Sequence, residues 1–230
     1  NKTQKVVAGV WAERIQHLKS YPKSYMDAKK ADARLISLIR PKTKILDVGC
    51  FFPYEAMRLA ADGFNVTSID LSGEVVSKSK ELPEVEKLKN LKFETGDATN
   101  LKYPNESFDV VLDLTTSVMI PNWQKAIKEY SRVLKTGGEV VVVTNNKLQP
   151  HALIELVRQK LNKNIHPRWG YFSPTFPWEL KKELEKNKFE VLKFESEVPW
   201  VAVAPFGFDK SLGRFLGGIK KFFPPLKYIG

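Results

Sequence analysis

From Lys44 onwards the sequence alternates short β-branched runs with segments of helical spacing, and this alternation restricts the possible folds more than any other feature. Strands that alternate with helices are joined by right-handed crossovers, so they form a mostly parallel sheet with helices on both faces. The sequence therefore predicts an α/β, doubly wound fold. The predicted strands, each bounded by Gly, Asp, Asn or Pro, are residues 45–49, 66–71, 91–95, 108–114 and 139–144.

The helical segments between these strands are predicted from apolar residues at helical spacing. The clearest helix covers residues 121–134, with Pro121 at its start and the pair Gly137 and Gly138 after its end. The valine run that follows, residues 140–143, suits a central strand of a parallel sheet because it is apolar at every position.

The chain is predicted to have three parts. Residues 1–43 form an N-terminal helical extension, residues 44–146 form the core, and residues 147–230 complete the same domain. Within the last part, residues 147–178 form a cap inserted over the substrate side, and residues 205–230 form a basic amphipathic C-terminal helix.

The region after residue 144 is less regular than the core. A helix is predicted over residues 150–162, with Leu153, Val157 and Leu161 on one stripe, and a proline- and aromatic-rich loop follows it. Such long loops are often functional. The sequence then predicts a helix over residues 178–185 and a strand over residues 189–195.

Positive charge is concentrated at the two ends of the chain. The formal net charge is +11, of which residues 1–43 carry +7, residues 44–146 carry −3 and residues 147–230 carry +7. Clustered positive charge attracts anionic partners such as nucleic acid, an anionic membrane surface, an acidic protein or a phosphorylated small molecule. A surface that is basic only for solubility explains the charge equally well.

Cysteine and histidine usage argues against a disulfide and a metal site. The chain has one cysteine, Cys50, so it forms no intrachain disulfide and no cysteine-based metal site, which favours a cytoplasmic setting. Its three histidines lack metal-ligand spacing, and we expect no metal. No apolar run approaches the ~20 residues that span a bilayer. Residues 1–15 lack a signal-peptide pattern, although a segment removed before Asn1 is compatible with the sequence.

Acidic residues and glycines stand at the ends of four predicted strands. Because ligands bind beyond the carboxyl ends of parallel strands, these residues are candidates for one shared site. Taken singly, an Asp at a strand end is more often a turn or helix-capping residue. Taken together, the four strand ends favour a ligand site, and Asp70 lies where an acidic residue would bind both ribose hydroxyls. The strand ends are Asp47-Val48-Gly49, Asp70-Leu71, Gly96-Asp97-Ala98 and Asp113-Leu114-Thr115.

Four stretches resemble the class I S-adenosylmethionine-dependent methyltransferases, in particular the group that methylates small molecules and lipids. They are "ILDVGC", "VTSIDLS", "LKFETGDATNLKYPNESFDVVLDL" and "WQKAIKEYSRVLKTGGEVVVVTNN". The resemblance implies a Rossmann-like core, S-adenosylmethionine as cofactor, S-adenosylhomocysteine as product, and in-line methyl transfer to the acceptor. A dinucleotide dehydrogenase is disfavoured because no G-x-G-x-x-G follows the first strand.

The resemblance also implies roles for individual residues. Asp70 would bind the ribose hydroxyls of the cofactor, and Asp97 would accept the adenine amino group while Ala98 lines the ring. Asp47 and Gly49 would shape the pocket around the methionine part of the cofactor. The backbone near Leu114 would meet its amino group, and Cys50 and Leu71 complete the predicted cofactor-binding set.

The first loop departs from the family pattern. Phe51 and Pro53 stand where the family usually has two further glycines. Glycine permits positive φ and a close backbone approach, whereas phenylalanine does not. Since S-adenosylmethionine carries no phosphate, we interpret the loop as a modified cofactor loop, with Pro53 starting the helix and Phe51 and Phe52 forming an apolar wall.

The sequence identifies no catalytic residue. His151, His166 and Tyr171 are candidates for a general base near the substrate, and each histidine is more simply explained as a surface or packing residue. Thr115, Thr116 and Tyr171 are equally well placed to touch a substrate.

Three functions stay open at this point. The aromatic loop and the apolar C-terminal helix favour a methyltransferase for a small-molecule or lipid-like acceptor. The basic ends suggest an RNA methyltransferase, although no RNA-binding module is present. Phe51 and Pro53 suggest a non-catalytic binding protein that keeps the fold.

The C-terminal residues leave two further points open. The helix within residues 205–230 would either lie on an anionic membrane, making the protein peripheral, or pack over the sheet. The family normally has one more antiparallel strand here; residues 200–204 supply it, or the chain is truncated.

Overall fold

The computed structural model describes residues 2–15, 43–51, 53–82, 84–163, 165 and 170–192. The chain divides into two compact units, Asn1–Phe189 and Glu190–Gly230. The first unit contains every helix and strand of the described residues. Of the second unit, residues 190–192 are described, and they have no regular secondary structure.

Five parallel strands form one sheet in the order β3-β2-β1-β4-β5. This order confirms the predicted α/β, Rossmann-like fold, because the chain first adds strands on one side of β1 and then on the other. The strands agree with the predicted ones to within a residue or two, except at the start of β5. They are β1 (Lys44–Val48), β2 (Asn65–Asp70), β3 (Leu91–Thr95), β4 (Phe108–Leu114) and β5 (Leu134–Val143).

Six α-helices accompany the sheet in the described residues. They are α1 (Lys2–Ile15), α2 (Tyr54–Ala61), α3 (Gly73–Lys80), α4 (Trp123–Val133), α5 (Pro150–Leu161) and α6 (Pro177–Lys186). Short 3₁₀ turns cover Val85–Lys87 and Ser117–Met119. Within the described ranges, none of these helices is both long enough and apolar enough to cross a membrane.

The core lies along the two central strands. Ile45 and Leu46 of β1 and Val111 and Leu112 of β4 are fully buried. Helix α4 covers the sheet with a buried stripe that follows the helical period, as the sequence predicts. The stripe consists of Trp123, Ala126, Ile127, Tyr130 and Val133.

The connection from α4 to β5 differs from the prediction. Helix α4 ends at Val133 and β5 starts at once with Leu134, which pairs with Phe108. The register then shifts between Phe108 and Val110, and Gly137 takes a φ of +76° beside this irregularity. The glycine pair therefore bends a strand and does not terminate the helix, because the chain enters the sheet before it reaches the glycines.

Two other predictions for the strands are not met. The valines of β5 are half-buried, and in the described part of the chain β5 pairs with β4 alone, so it is not a central strand there. Residues 189–192 form no strand, and residues 193–195 lie outside the described ranges. The predicted strand over residues 200–204 and the C-terminal helix within 205–230 also lie outside them.

Candidate functional site

A cleft opens at the carboxyl ends of β1, β2 and β4, where the strand order reverses. Open α/β sheets bind their ligands at this point. The cleft encloses about 830 Å³ when its open solvent is included. Its walls come from the residues that follow the strands and from α1. They are Gln4, Val7, Val48, Gly49, Phe51, Ile69, Asp70, Leu71, Gly96, Asp97, Ala98, Leu114, Thr115, Thr116, Met119, Ile120 and Pro121.

Asp70 is the last residue of β2 and lines this cleft. Its Oδ1 accepts a hydrogen bond from the backbone N–H of Ser72 at 2.9 Å, which holds the carboxylate at the strand end. Burial raises the pKa of Asp70 to about 7; the Ser72 N–H opposes this shift, and the charge of Asp47 adds to it. A carboxyl group whose pKa is raised by burial in a cleft is a candidate for ligand binding.

Asp97 follows β3 and also lines the cleft. Its Oδ1 accepts hydrogen bonds from the backbone N–H and from Oγ1 of Thr99, each at 2.8 Å. Its Oδ2 accepts a hydrogen bond from Nε2 of Gln4 at 2.7 Å. Helix α1, which contributes Gln4 and Val7, thus forms part of the wall beside Asp97.

Gly49 begins the turn after β1 with a φ of +88°, a conformation that favours glycine. A Cβ atom at this position would overlap the Thr116 side chain. Thr116 is fixed in place because its Oγ1 donates a hydrogen bond to the carbonyl of Val48 at 2.7 Å. The close approach of Thr116 therefore requires a glycine here, independently of any ligand.

Buried Asp113 supports the loop that edges the cleft after β4. Its Oδ1 accepts the backbone N–H groups of Thr116 and Ser117, each at 2.9 Å, and its Oδ2 accepts the hydroxyl of Tyr130 at 2.9 Å. Burial raises the pKa of Asp113, and these donors oppose the shift. Thr115, which lines the cleft in this loop, has a strained φ of +72°. Asp113 therefore fixes the loop after β4 by binding its backbone N–H groups, although it does not itself line the cleft.

Six of the eight predicted cofactor-binding residues line the cleft, and the other two do not. The six are Gly49, Asp70, Leu71, Asp97, Ala98 and Leu114. Asp47 is buried and accepts a hydrogen bond from Oγ of Ser68, its partner on β2. Cys50 is fully buried, and this burial raises the pKa of its thiol well above the usual value. Both residues support the turn and do not border the cleft.

The departures from the family pattern have distinct structural roles. Phe51 borders the cleft, yet it is only 6% exposed and belongs to the main hydrophobic core. Pro53 occupies the N-cap position of α2, and its carbonyl accepts the N–H of Met57 at 2.8 Å, which is the predicted helix start. Phe52 lies outside the described residues.

Among the three candidate bases, Tyr171 is the one whose side chain the structure describes. Tyr171 packs against the main core and does not line the cleft. His151 lies on α5, but its side chain is outside the description, and His166 is outside the described ranges. Thr115 and Thr116 do line the cleft. Among the described residues, no group of three or more His, Cys, Asp or Glu side chains could hold a metal ion.

Sequence reasoning missed Gln4, Val7 and the segment Met119–Pro121 as residues that line the cleft. Gln4 is 93 positions from its partner Asp97, so no local pattern connects the two. The segment 119–121 follows β4 closely, and its position just beyond a strand end is a signal that could have identified it.

Known proteins resemble this chain in sequence and in fold. Residues 39–190 match the family model described as a methyltransferase domain. The chain is 34% identical over 144 residues to 2-methyl-6-phytyl-1,4-hydroquinone methyltransferase of Synechocystis sp., covering 59% of this chain and 44% of that protein. It is 29% identical over 169 residues to the ubiquinone/menaquinone biosynthesis C-methyltransferase UbiE of Campylobacter jejuni, covering 69% and 68%.

A solved structure titled as a SAM-dependent methyltransferase from Methanosarcina mazei shares the fold, with a TM-score of 0.59 and 24% identity over 71% of this chain and 87% of that one. The chain spans less than half the length of the Synechocystis relative. The family match covers more than half of the chain. The chain therefore belongs to the methyltransferase domain family, which confirms the resemblance to class I S-adenosylmethionine-dependent methyltransferases.

Proposed function

We propose that this protein is an S-adenosylmethionine-dependent methyltransferase that acts on a small, lipid-like acceptor. The observation that carries the proposal is that Asp70 and Asp97, at the ends of the neighbouring strands β2 and β3, line one cleft at the switch point of the sheet. The methyltransferase domain family match supports the same activity.

The residues of the cleft fit the chemistry of this cofactor. S-adenosylmethionine offers hydroxyl and amino donors, and the cleft offers two carboxylates to accept them. Asp70 would hold the ribose hydroxyls and Asp97 the adenine amino group, while Leu71 and Ala98 supply apolar surface for the ring. When bound, the cofactor supplies a methyl group already activated by its sulfonium.

The residues of this chain mainly bind the cofactor and orient the acceptor. Among the described residues that line the cleft, Asp70 and Asp97 are the titratable side chains, and both are assigned to the cofactor. Alignment of the acceptor with the methyl group therefore accounts for most of the proposed rate enhancement. The loop that contains Thr115 and Thr116, held by Asp113, provides a fixed edge for this alignment.

Apart from the two carboxylates, apolar side chains line much of the cleft. They include Met119, Ile120 and Pro121 after β4, together with Phe51. Apolar walls exclude water and favour an acceptor with hydrocarbon character. The names of the two relatives support this choice. One is named as a methyltransferase of 2-methyl-6-phytyl-1,4-hydroquinone, and the other as a C-methyltransferase of ubiquinone/menaquinone biosynthesis.

A methyl-transfer assay tests the proposal. Protein is incubated with S-adenosylmethionine labelled in its methyl group, together with total lipid extract, aqueous small-molecule extract or total RNA. We expect label in the lipid fraction, and Asp70→Asn should abolish most of it. Label confined to the aqueous fraction would contradict the lipid-like acceptor, and label confined to RNA would favour the RNA methyltransferase.

Phe51 favours a second candidate, a protein that binds S-adenosylmethionine without transferring the methyl group. Its bulky ring occupies a loop position where the family usually has glycine, and it borders the cleft. This candidate predicts saturable binding of S-adenosylhomocysteine with no label in any of the three fractions. Methyl transfer that is lost on Asp70→Asn would eliminate it.

A further inference from the structure

Helix α5 exposes an apolar stripe and buries two polar residues on its opposite side. Its buried positions include Glu155 and Gln159, at 4% and 8% exposure, beside Ala152. Four of its apolar residues are exposed, Leu153 at 54%, Leu161 at 81%, and Ile154 and Val157, whereas Leu156 packs inward with Ala152. An ordinary surface helix buries its apolar stripe and exposes its polar one. We name the outward residues Leu153, Ile154, Val157 and Leu161 the outer face of α5.

Specific contacts fix this orientation. The side-chain amide of Gln159 pairs with the backbone of Phe172: Oε1 accepts its N–H at 2.6 Å and Nε2 donates to its carbonyl at 3.2 Å. Buried Glu155 pairs with Arg158 at 2.6 Å. A rotation of α5 that buried the outer face would break the two bonds between Gln159 and Phe172 and leave polar groups unsatisfied. The outer face is therefore held outward by the fold.

Positive charges border the outer face on both sides. At 100° per residue, Lys160 lies beside Leu153 on one edge, and Arg158 lies beside Ile154 on the other. Both cations are exposed, and so is Lys163 just beyond the helix. An apolar arc bordered by Lys and Arg is the arrangement of helices that lie in the plane of an anionic membrane.

Two segments close to α5 also expose large apolar side chains. Leu148, directly before α5, is 57% exposed, and Trp178 is 58% exposed. The two segments are joined because the backbone N–H of Lys147 donates to the carbonyl of Thr175 at 2.9 Å. Trp178 stacks on Phe176 at 4.5 Å between ring centroids. The Nζ of Lys147 lies 4.8 Å from the centroid of the same Phe176 ring. Exposed Trp and Lys are typical of residues at a membrane-water interface.

We propose that α5 docks the protein on an anionic membrane surface, with the outer face in the acyl boundary and Lys160 against anionic head groups. An exposed apolar arc that is bordered by cationic side chains matches a lipid surface with anionic head groups. The proposal goes beyond the proposed function, because docking requires neither cofactor nor acceptor.

Vesicle flotation of the full 230-residue chain tests the docking. The vesicles are phosphatidylcholine containing about one quarter phosphatidylserine, a content typical of anionic surfaces. We expect the protein to float with these vesicles, to bind pure phosphatidylcholine much less, and to bind less at high salt. Failure of the wild-type chain to float would overturn the proposal, including the case in which another part of the chain covers the outer face.

Matched variants separate the outer face from general hydrophobicity and charge. Leu153→Asp with Leu161→Asp should lower the partition coefficient by roughly tenfold or more, since two leucines leave the membrane. Leu192→Asp, at an equally exposed leucine outside α5, should have no effect. Lys160→Glu should reduce binding by about fivefold or more, whereas Lys80→Glu, an exposed lysine on α3, should not.

The oligomeric state is measured on the same samples. A wild-type dimer that the double aspartate variant converts to monomer would assign the outer face to a second copy and overturn the proposal. Unchanged flotation of that variant, with an unchanged circular dichroism melt, would also overturn it. Loss of methyl transfer with normal flotation leaves the docking supported, so failure of the two proposals can be distinguished.

Discussion

The side-chain amide of Gln4 donates a hydrogen bond to Oδ2 of Asp97 across 2.7 Å and so connects helix α1 to the end of β3. Asp97 is the residue expected to accept the adenine amino group, and its Oδ1 already accepts two bonds from Thr99. Gln4 thus uses the carboxylate oxygen that the cofactor would use. Under the proposed function, this one hydrogen bond would couple the N-terminal helix to cofactor binding.

The first prediction concerns this bond. Gln4→Ala should tighten binding of S-adenosylhomocysteine by roughly two- to tenfold, because the adenine amino group no longer has to displace a hydrogen bond of ordinary strength. Titration calorimetry measures the affinity. Lys5→Ala, at an exposed position on the same helix, should leave it unchanged. A weaker affinity for Gln4→Ala would instead make Gln4 a direct contact of the cofactor.

The second prediction concerns the dependence of stability on pH at Asp70. Its folded pKa, about 7, lies above the ordinary value of 3.8, so the folded state holds a proton that the unfolded state releases between these values. The stabilising contribution of this site is fully present below pH 3.8 and is lost as pH rises through 7. Asp70→Asn should therefore raise the free energy of unfolding at pH 8 by about 1 to 4 kcal/mol, with little effect near pH 4.

Urea unfolding at both pH values measures this difference. Asp109 provides a control of opposite sign, because its bond to Lys135 at 2.7 Å lowers the pKa of its carboxyl. Asp109→Asn should lower stability slightly at neutral pH, by an amount that shrinks as the pH falls. Equal free energies of unfolding for wild type and Asp70→Asn at pH 8 would show that the ionised carboxyl of Asp70 does not destabilise the folded state.

The third prediction concerns the buried pair of Asp113 and Tyr130. Tyr130→Phe removes one donor to a fully buried carboxylate and should lower the free energy of unfolding by about 1 to 3 kcal/mol. Tyr103→Phe removes a similar bond, to Glu94 at an exposed site, and should cost less than about 1 kcal/mol. Similar losses in the two variants, measured by urea unfolding, would show that burial does not strengthen the Asp113 bond.

The fourth prediction concerns Phe51, which belongs to the core as well as to the cleft wall. Phe51→Leu keeps an apolar side chain and should lower the free energy of unfolding by about 1 to 2 kcal/mol, whereas Phe51→Gly should cost at least about 3 kcal/mol. Affinity for S-adenosylhomocysteine should change by less than about threefold in Phe51→Leu. A loss above about tenfold, in protein shown to be folded, would identify the aromatic ring as a direct contact of the cofactor.

The sheet and the two acidic strand ends could be predicted because their signals are local. A β-branched run marks each strand, and the carboxyl ends of parallel strands meet at one edge, which brings Asp70 and Asp97 to one cleft. The start of β5 could not be predicted, because its pairing with Phe108 overrides the local helical pattern that runs through Leu134.

The features of the site that local patterns do not reveal depend on contacts between distant parts of the chain. Asp47 stands at a strand end like the other acids, but its carboxylate is buried and accepts a hydrogen bond from Ser68 on the neighbouring strand. Gln4 has no local signal at all. For α5, periodicity predicts an apolar stripe but not the side of the helix that faces outward, which is decided by the bonds of Gln159 to Phe172.

The central claim is that Asp70 and Asp97 bind S-adenosylmethionine in the cleft, and titration calorimetry tests it most directly. The wild-type chain should bind one equivalent of S-adenosylhomocysteine saturably. Asp70→Ala and Asp97→Ala should each weaken that binding by about 1 to 3 kcal/mol, roughly five- to 150-fold, while Asp109→Asn should bind like wild type. Absence of binding to folded wild-type protein at millimolar ligand, or unchanged affinity in both alanine variants, would contradict the claim.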